Sequence, residues 1–100
     1  MAQLASKGKK TVIFSFHAAE RLSQRFNTRI STRNDVDISQ TFKPIGNARR
    51  HHTDGYMYQA YIPKDPSVRL VLLVNIEGNV VMTVMSEGPI VDACYRQACH

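Results

Sequence analysis

The chain reads as an α+β domain: one or two N-terminal helices packed on a four-stranded antiparallel sheet, with a short helix closing the C-terminus. Three observations predict this. A helical period of apolar residues fills Phe16–Phe26. From about residue 48 onward, β-branched and aromatic runs alternate with Gly, Pro, Asn and Asp turn signals. And 100 residues, 43% hydrophobic and 21% charged, suit one folded core rather than two.

Taken in order, Met1–Lys10 reads as a basic flexible arm, and residues 11–100 as a single domain. Thr11–Phe14 is a short strand or extended lead-in. Ser15 is placed to cap a helix whose inner face carries Phe16, Ala19, Leu22, Ser23 and Phe26. Asn27 is a stop, and Asn34–Gln40 suits a second helical turn with Val36 and Ile38 inward. Asp54-Gly55 is a hairpin signal between the strands Ala48–Thr53 and Tyr56–Ile62. The loop 63–67 leads into Val68–Ile76, Gly78-Asn79 turns into Val80–Met85, and Ile90–Ala98 suits a closing helix after Gly88-Pro89.

Those turns set an expected register in which Ile62 faces Val68 and Glu77 faces Val80. One sheet face then gathers Tyr56, Tyr58, Ala60, Ile62, Val68, Leu70, Leu72, Val74, Ile76, Val81 and Met85 as core. The other gathers Arg50, His52, Gln59, Tyr61, Arg69 and Asn75, interrupted by Met57, Val71, Leu73, Met82 and Val84. A face mixing cations, an imidazole and a phenol suits an RNA backbone and its bases. The other interpretation of the same face is the solvated side of a one-sided sheet.

The net charge of +5, with Lys+Arg 13 against Asp+Glu 8, favours an anionic partner. The excess lies in residues 1–52, while residues 53–100 are mildly acidic, and eight of the cations are arginines. Arginine's planar fork suits phosphate better than lysine's point charge does. No apolar run approaches the roughly 20 residues needed to span a bilayer, so no membrane role is expected. Two cysteines, Cys94 and Cys99, make no disulfide framework, and a cytoplasmic protein is expected. His51 and His52, adjacent on a strand, point to opposite faces and cannot chelate one ion together. Cys94, Cys99 and His100 are a loose set of soft ligands with no second pair, so neither a metal nor another cofactor is expected.

The sharpest spacing is His17, Arg21, Arg25, with Arg29 and Arg33 continuing the four-residue step. At 100° per residue the first three share one edge of the helix, away from Ala19, Leu22 and Phe26. His17 falls in the first turn, where free backbone N–H groups favour anions. It is a candidate general base or acid, with Arg21 and Arg25 as phosphate contacts. The competing reading is a solvated cationic face whose histidine packs or caps. From the sheet, His52 and Tyr61 are further candidates for proton transfer, and Arg50 and Arg69 for nucleic-acid contact.

The segment Ser15-Phe-His17-Ala18-Ala-Glu20-Arg21-Leu22-Ser-Gln-Arg25 resembles the opening His-Ala-x-x-Arg-Met-x-x-Arg motif of a family of small RelE-like domains in the barnase–EndoU–colicin–RelE nuclease superfamily. Asn34-Asp-Val36 with Ile38 is similar to that family's next short helix. Val71–Ile76, Glu77-Gly78-Asn79 and Val81-Met-Thr83-Val84 resemble its closing hairpin. The resemblance covers Phe14–Ser86. Arg25-Phe-Asn-Thr-Arg-Ile30 departs from the Arg-Gly-Ile that often follows the helix, and Cys94–His100 has no counterpart. The resemblance implies metal-independent cleavage of RNA by attack of its 2′-OH, in a toxin or phage effector. It places His17, Arg21 and Arg25 in the site, and Thr83 at the hairpin's threonine. The alternative it carries is a non-catalytic regulator of the same fold that binds RNA, a host protein or an antitoxin.

Overall fold

The computed structural model describes residues 10–26, 36–46 and 56–98. The fold is α+β, with two helices and a curled, mixed six-stranded sheet. The strands are β1 (Thr11–Phe14), β2 (Val36–Asp37), β3 (Phe42–Pro44), β4 (Tyr58–Pro63), β5 (Val71–Asn75) and β6 (Val80–Met85). The helices are α1 (Phe16–Phe26) and α2 (Pro89–Ala98). The sheet order is β2-β1-β6-β5-β4-β3, and every neighbouring pair is antiparallel except β1 with β6.

The expected meander is present as β4, β5 and β6. Its proposed first strand, Ala48–Thr53, lies outside the described residues, and β3 occupies the place beside β4. Asn34–Gln40 was expected to be helical. Its described part instead forms β2 and a turn, because Val36 and Asp37 pair with Val12 and Thr11. The parallel pairing of β1 with β6 adds two strands beyond the meander.

Curling follows from chain length. β2 and β3 sit at opposite edges, yet only four residues, five Cα–Cα steps, separate Asp37 from Phe42. Five such steps reach about 17 Å at most, whereas five strand spacings of a flat sheet amount to about 24 Å. The edges must therefore approach one another. The connecting turn is tied to both sides: Ile38 N–H donates to Lys10 C=O at 2.9 Å, and Lys64 N–H donates to Thr41 C=O at 2.9 Å.

Each face of the sheet holds its own core. On the α1 side, Ala18, Ala19 and Leu22 pack against Val12, Phe14, Leu72, Val74, Val81 and Val84, with Ile38, Phe42, Tyr61 and Leu70 completing the cluster. On the α2 side, Val91 and Cys94 pack with Ile45, Tyr58, Ala60, Ile62, Val71 and Leu73. Fully burying one aliphatic side chain of this size stabilises by about 1.5–3 kcal/mol.

Two-sided burial corrects the expected register. Tyr61 faces Leu72, where the turn symmetry placed it opposite Arg69; the strands are slipped by three residues. An odd slip exchanges faces. Tyr58, Ala60 and Ile62 therefore share a face with Val71 and Leu73, and Tyr61 joins Leu72 and Val74. Val71, Leu73 and Val84, expected to interrupt a polar face, are core, and Tyr56, expected in the core, is exposed. A bulge between β5 and β6 sets the remaining parity: Leu73 pairs Thr83 and Val74 pairs Val81, leaving Met82 as the extra residue. It allows Val81 and Val84, three apart, to point to the same side.

Turn chemistry agrees with the local sequence. Asn79 adopts φ 53 between β5 and β6, a conformation Asn tolerates better than most residues. Gly88, at φ 117, redirects the chain into α2, and Pro89 starts that helix where its missing N–H costs nothing.

Candidate functional site

The predicted site residues that lie among the described ones fall into three places. The first is the outer edge of α1. Ser15 caps the helix, its Oγ accepting from Ala18 N–H at 3.1 Å, while Ala19 N–H donates to Ser15 C=O at 2.9 Å. With Ala18, Ala19 and Leu22 turned into the core, His17 and Arg25 are exposed and Arg21 is half-buried. Phe16, expected on the inner face, is 76% exposed, since the buried stripe begins only at Ala18. Arg25 donates from its guanidinium to Ser86 Oγ at 2.8 Å, just beyond β6. A hydroxyl orients the fork without cancelling its charge. Among the described residues no carboxylate pairs with Arg21 or Arg25.

The second place is the α2 face. Arg69 forms an ion pair with Asp92 at 2.7 Å, and its guanidinium carbon lies 4.7 Å from the centre of the Tyr95 ring. Tyr95 Oη accepts from Leu70 N–H at 2.9 Å and donates back to Leu70 C=O at 2.9 Å. Burial pushes the Tyr95 phenol above its ordinary pKa, opposed by the Leu70 hydrogen bond and the Arg69 charge. This arginine is committed to holding α2 against the start of β5. Thr83 is half-buried and pairs with Leu73, so it lies on the same side, where the expected partner was Val74.

The third is a cleft of about 420 Å³ near the converging sheet edges, lined by Lys10, Ser39, Phe42, Lys43, Pro44, Tyr61 and Lys64. Tyr61 is only 8% exposed, and burial pushes its phenol upward from the usual value. Tyr61 and Arg69, expected side by side, are thus on opposite faces, and His17 does not line the cleft. His52 and Arg50 lie outside the described residues.

Sequence reasoning missed the three lysines as a group. Lys43-Pro44 and Pro63-Lys64 come together through β3–β4 pairing, and Lys10 arrives from before β1. No periodicity connects such positions; only the two lysine–proline pairs flanking strands gave a local hint. Among the described residues no three His, Cys, Asp or Glu side chains group to hold a metal ion, and no helix is long and apolar enough to cross a membrane.

No family model, curated protein or solved structure matches this chain.

Proposed function

We propose that this protein binds RNA through the outer edge of α1, using Arg21 and Arg25 on the phosphate backbone and His17 beside them. The observation that carries the reading is the contrast in partners. Arg25 is oriented by a neutral hydroxyl, whereas Arg69 is neutralised by a carboxylate. Both open faces of an RNA-binding sheet are unavailable, since β4 and β5 are buried on both sides. Among the described residues the helix edge offers arginines that no carboxylate neutralises, and the resemblance of residues 14–86 to RelE-like domains points to the same polymer.

A second reading keeps catalysis. His17 is exposed in the first turn of α1, and on this reading it exchanges a proton with a ribose hydroxyl. Cleavage also needs a second proton-transfer group; Tyr61 is held in the cleft that His17 does not line, and His52 lies outside the described residues. Binding needs no such partner, and it is the reading proposed first.

One assay separates the two. The protein is mixed with labelled RNA in EDTA and run on native and denaturing gels. Binding weakened in Arg21→Ala and Arg25→Ala, with a log–log salt slope reduced by about one unit for each contact, supports the proposal. Cleavage abolished by His17→Ala establishes the enzyme. RNA that is neither shifted nor cut at low salt overturns both and directs attention to a protein partner such as an antitoxin.

A further inference from the structure

We propose that the curled sheet carries a latch: the Asp37 carboxylate holds the seam between β1 and β2 shut, and the sheet opens at that seam, widening the adjoining cleft, when the carboxylate's bonds are broken. The proposal does not rest on RNA binding by α1, which uses other residues.

Residues 36–44 form a strap that joins both sheet edges, and its two joints are unequal. At one end three residue pairs hold β3 to β4. Two backbone bonds extend that joint: Ile45 N–H donates to Ala60 C=O at 3.0 Å, and Lys64 N–H to Thr41 C=O at 2.9 Å. At the other end, among the described residues, β2 meets β1 through two pairs, Thr11 with Asp37 and Val12 with Val36. One backbone bond extends them, from Ile38 N–H to Lys10 C=O at 2.9 Å. The turn between the joints is closed on itself, Phe42 N–H donating to Ile38 C=O at 2.8 Å, so the strap can move as a unit with β3. Local opening begins where the fewest interactions must break, and that place is the β1–β2 seam.

One oxygen reinforces this short joint. Asp37 Oδ1 accepts from Ser39 N–H at 2.9 Å and Ser39 Oγ at 2.6 Å, both within the strap. It also accepts from Lys10 N–H at 3.3 Å, which lies on the β1 side. The carboxylate thus bonds along the strap and across the seam at once, and bonds to an ionised acceptor are about twice as strong as neutral ones. Lys10 is gripped by both its backbone groups, its N–H by Asp37 and its C=O by Ile38. Ile38, 1% exposed, is the apolar half of the closure and joins the cluster of Val12, Phe14 and Phe42. Its burial keeps the open form a minor one while the latch is intact.

The cleft of about 420 Å³ lies across the same seam. Lys10 lines it from the β1 side, whereas Ser39, Phe42 and Pro44 of the strap, with Tyr61 and Lys64, line it from the other. Parting β1 from β2 separates these two sides and uncovers Tyr61, which is 8% exposed in the closed sheet.

Amide hydrogen exchange followed by NMR across a series of low urea concentrations tests the latch. Ile38 N–H reports the seam, because its acceptor belongs to the Lys10 backbone. Ile13 N–H, bonded to Asn79 C=O, reports β1 on β6, and Ile45 N–H reports β3 on β4. In the parent, Ile38 should be less protected than the other two by about ten-fold or more, with a shallow urea dependence that marks a local opening. Asp37→Ala should lower Ile38 protection about ten-fold further and keep that dependence shallow, and the milder Ser39→Ala about three-fold. The chain has no tryptophan of its own, so Tyr61→Trp supplies a reporter of the cleft. Its quenching by acrylamide should rise about two-fold when Asp37→Ala is added. The proposal is overturned if Ile38 in the parent exchanges together with Ile13 and Ile45 along one steep urea dependence. It is equally overturned if neither variant changes Ile38 protection, or if the quenching stays the same.

Discussion

The two helices are fastened to the sheet by different means. α1 is held by Ala18, Ala19 and Leu22 pressed on one face, with one polar tie, Arg25 to Ser86, at its far end. α2 buries Val91 and Cys94 on the other face and adds Tyr95 to the Leu70 backbone and Asp92 to Arg69. Small residues let α1 lie close to the sheet and leave its arginines for outside partners. α2 instead consumes an arginine in its own attachment. A cation's sequence position therefore says little about its availability until its neighbours are known.

The sharpest way to break the comparison is through the strand both helices share. Leu72 is fully buried on the α1 side, and Leu72→Ala should cost about 2–5 kcal/mol in urea unfolding. A loss under 1 kcal/mol would contradict a core on that face.

Next in size is the polar attachment of α2. Tyr95→Phe removes the acceptor for Leu70 N–H and should cost about 1–3 kcal/mol. The same variant has a pH signature. Burial raises the folded pKa of Tyr61 and Tyr95. Above about pH 10 the unfolded chain loses phenolic protons that the folded chain retains, so stability falls as pH rises from there and is flat below. Tyr95→Phe should flatten part of that alkaline slope in unfolding titrations between about pH 9 and 11.

Ser15→Ala removes the α1 cap and should cost about 1 kcal/mol, measurable as a lower urea midpoint with an unchanged m-value. The smallest effects separate the arginines. Arg25→Ala should change stability by less than about 0.5 kcal/mol while weakening the RNA gel shift. Arg69→Ala, which loses an exposed pair and a ring contact, should cost up to about 1 kcal/mol and leave the shift intact. The opposite assignment of these two outcomes would remove the functional distinction between the helices.

Local signals carried much of the fold. α1 spans the residues that the Ser15 cap and the apolar period define, and β6 spans the apolar run between Gly78-Asn79 and Gly88. What escaped is non-local. Residues 68–70 stay outside β5, which the symmetric loop assumption could not reveal, and the resulting odd slip exchanged the faces of Tyr61 and its neighbours. Two-sided burial of the sheet was visible only as apolar residues that seemed to interrupt a polar face. At the candidate site, the His17–Arg21–Arg25 edge was legible because it is one helix long. The fate of Arg69 depends on Asp92, 23 residues later, and the lysine cleft on three segments.

The parallel pairing of β1 with β6 has a kinetic consequence. Lys10 reaches Asn79, 69 residues away, and Ile13 meets Val80. During synthesis, β1 and α1 leave the ribosome long before their partner strand exists, so the apolar sides of Val12, Phe14 and Leu22 must wait uncovered. Long-range closure of this kind slows folding relative to local hairpins. The nascent chain should thus depend on chaperones until residue 85 has emerged, while the β4–β6 meander assembles as soon as it is made.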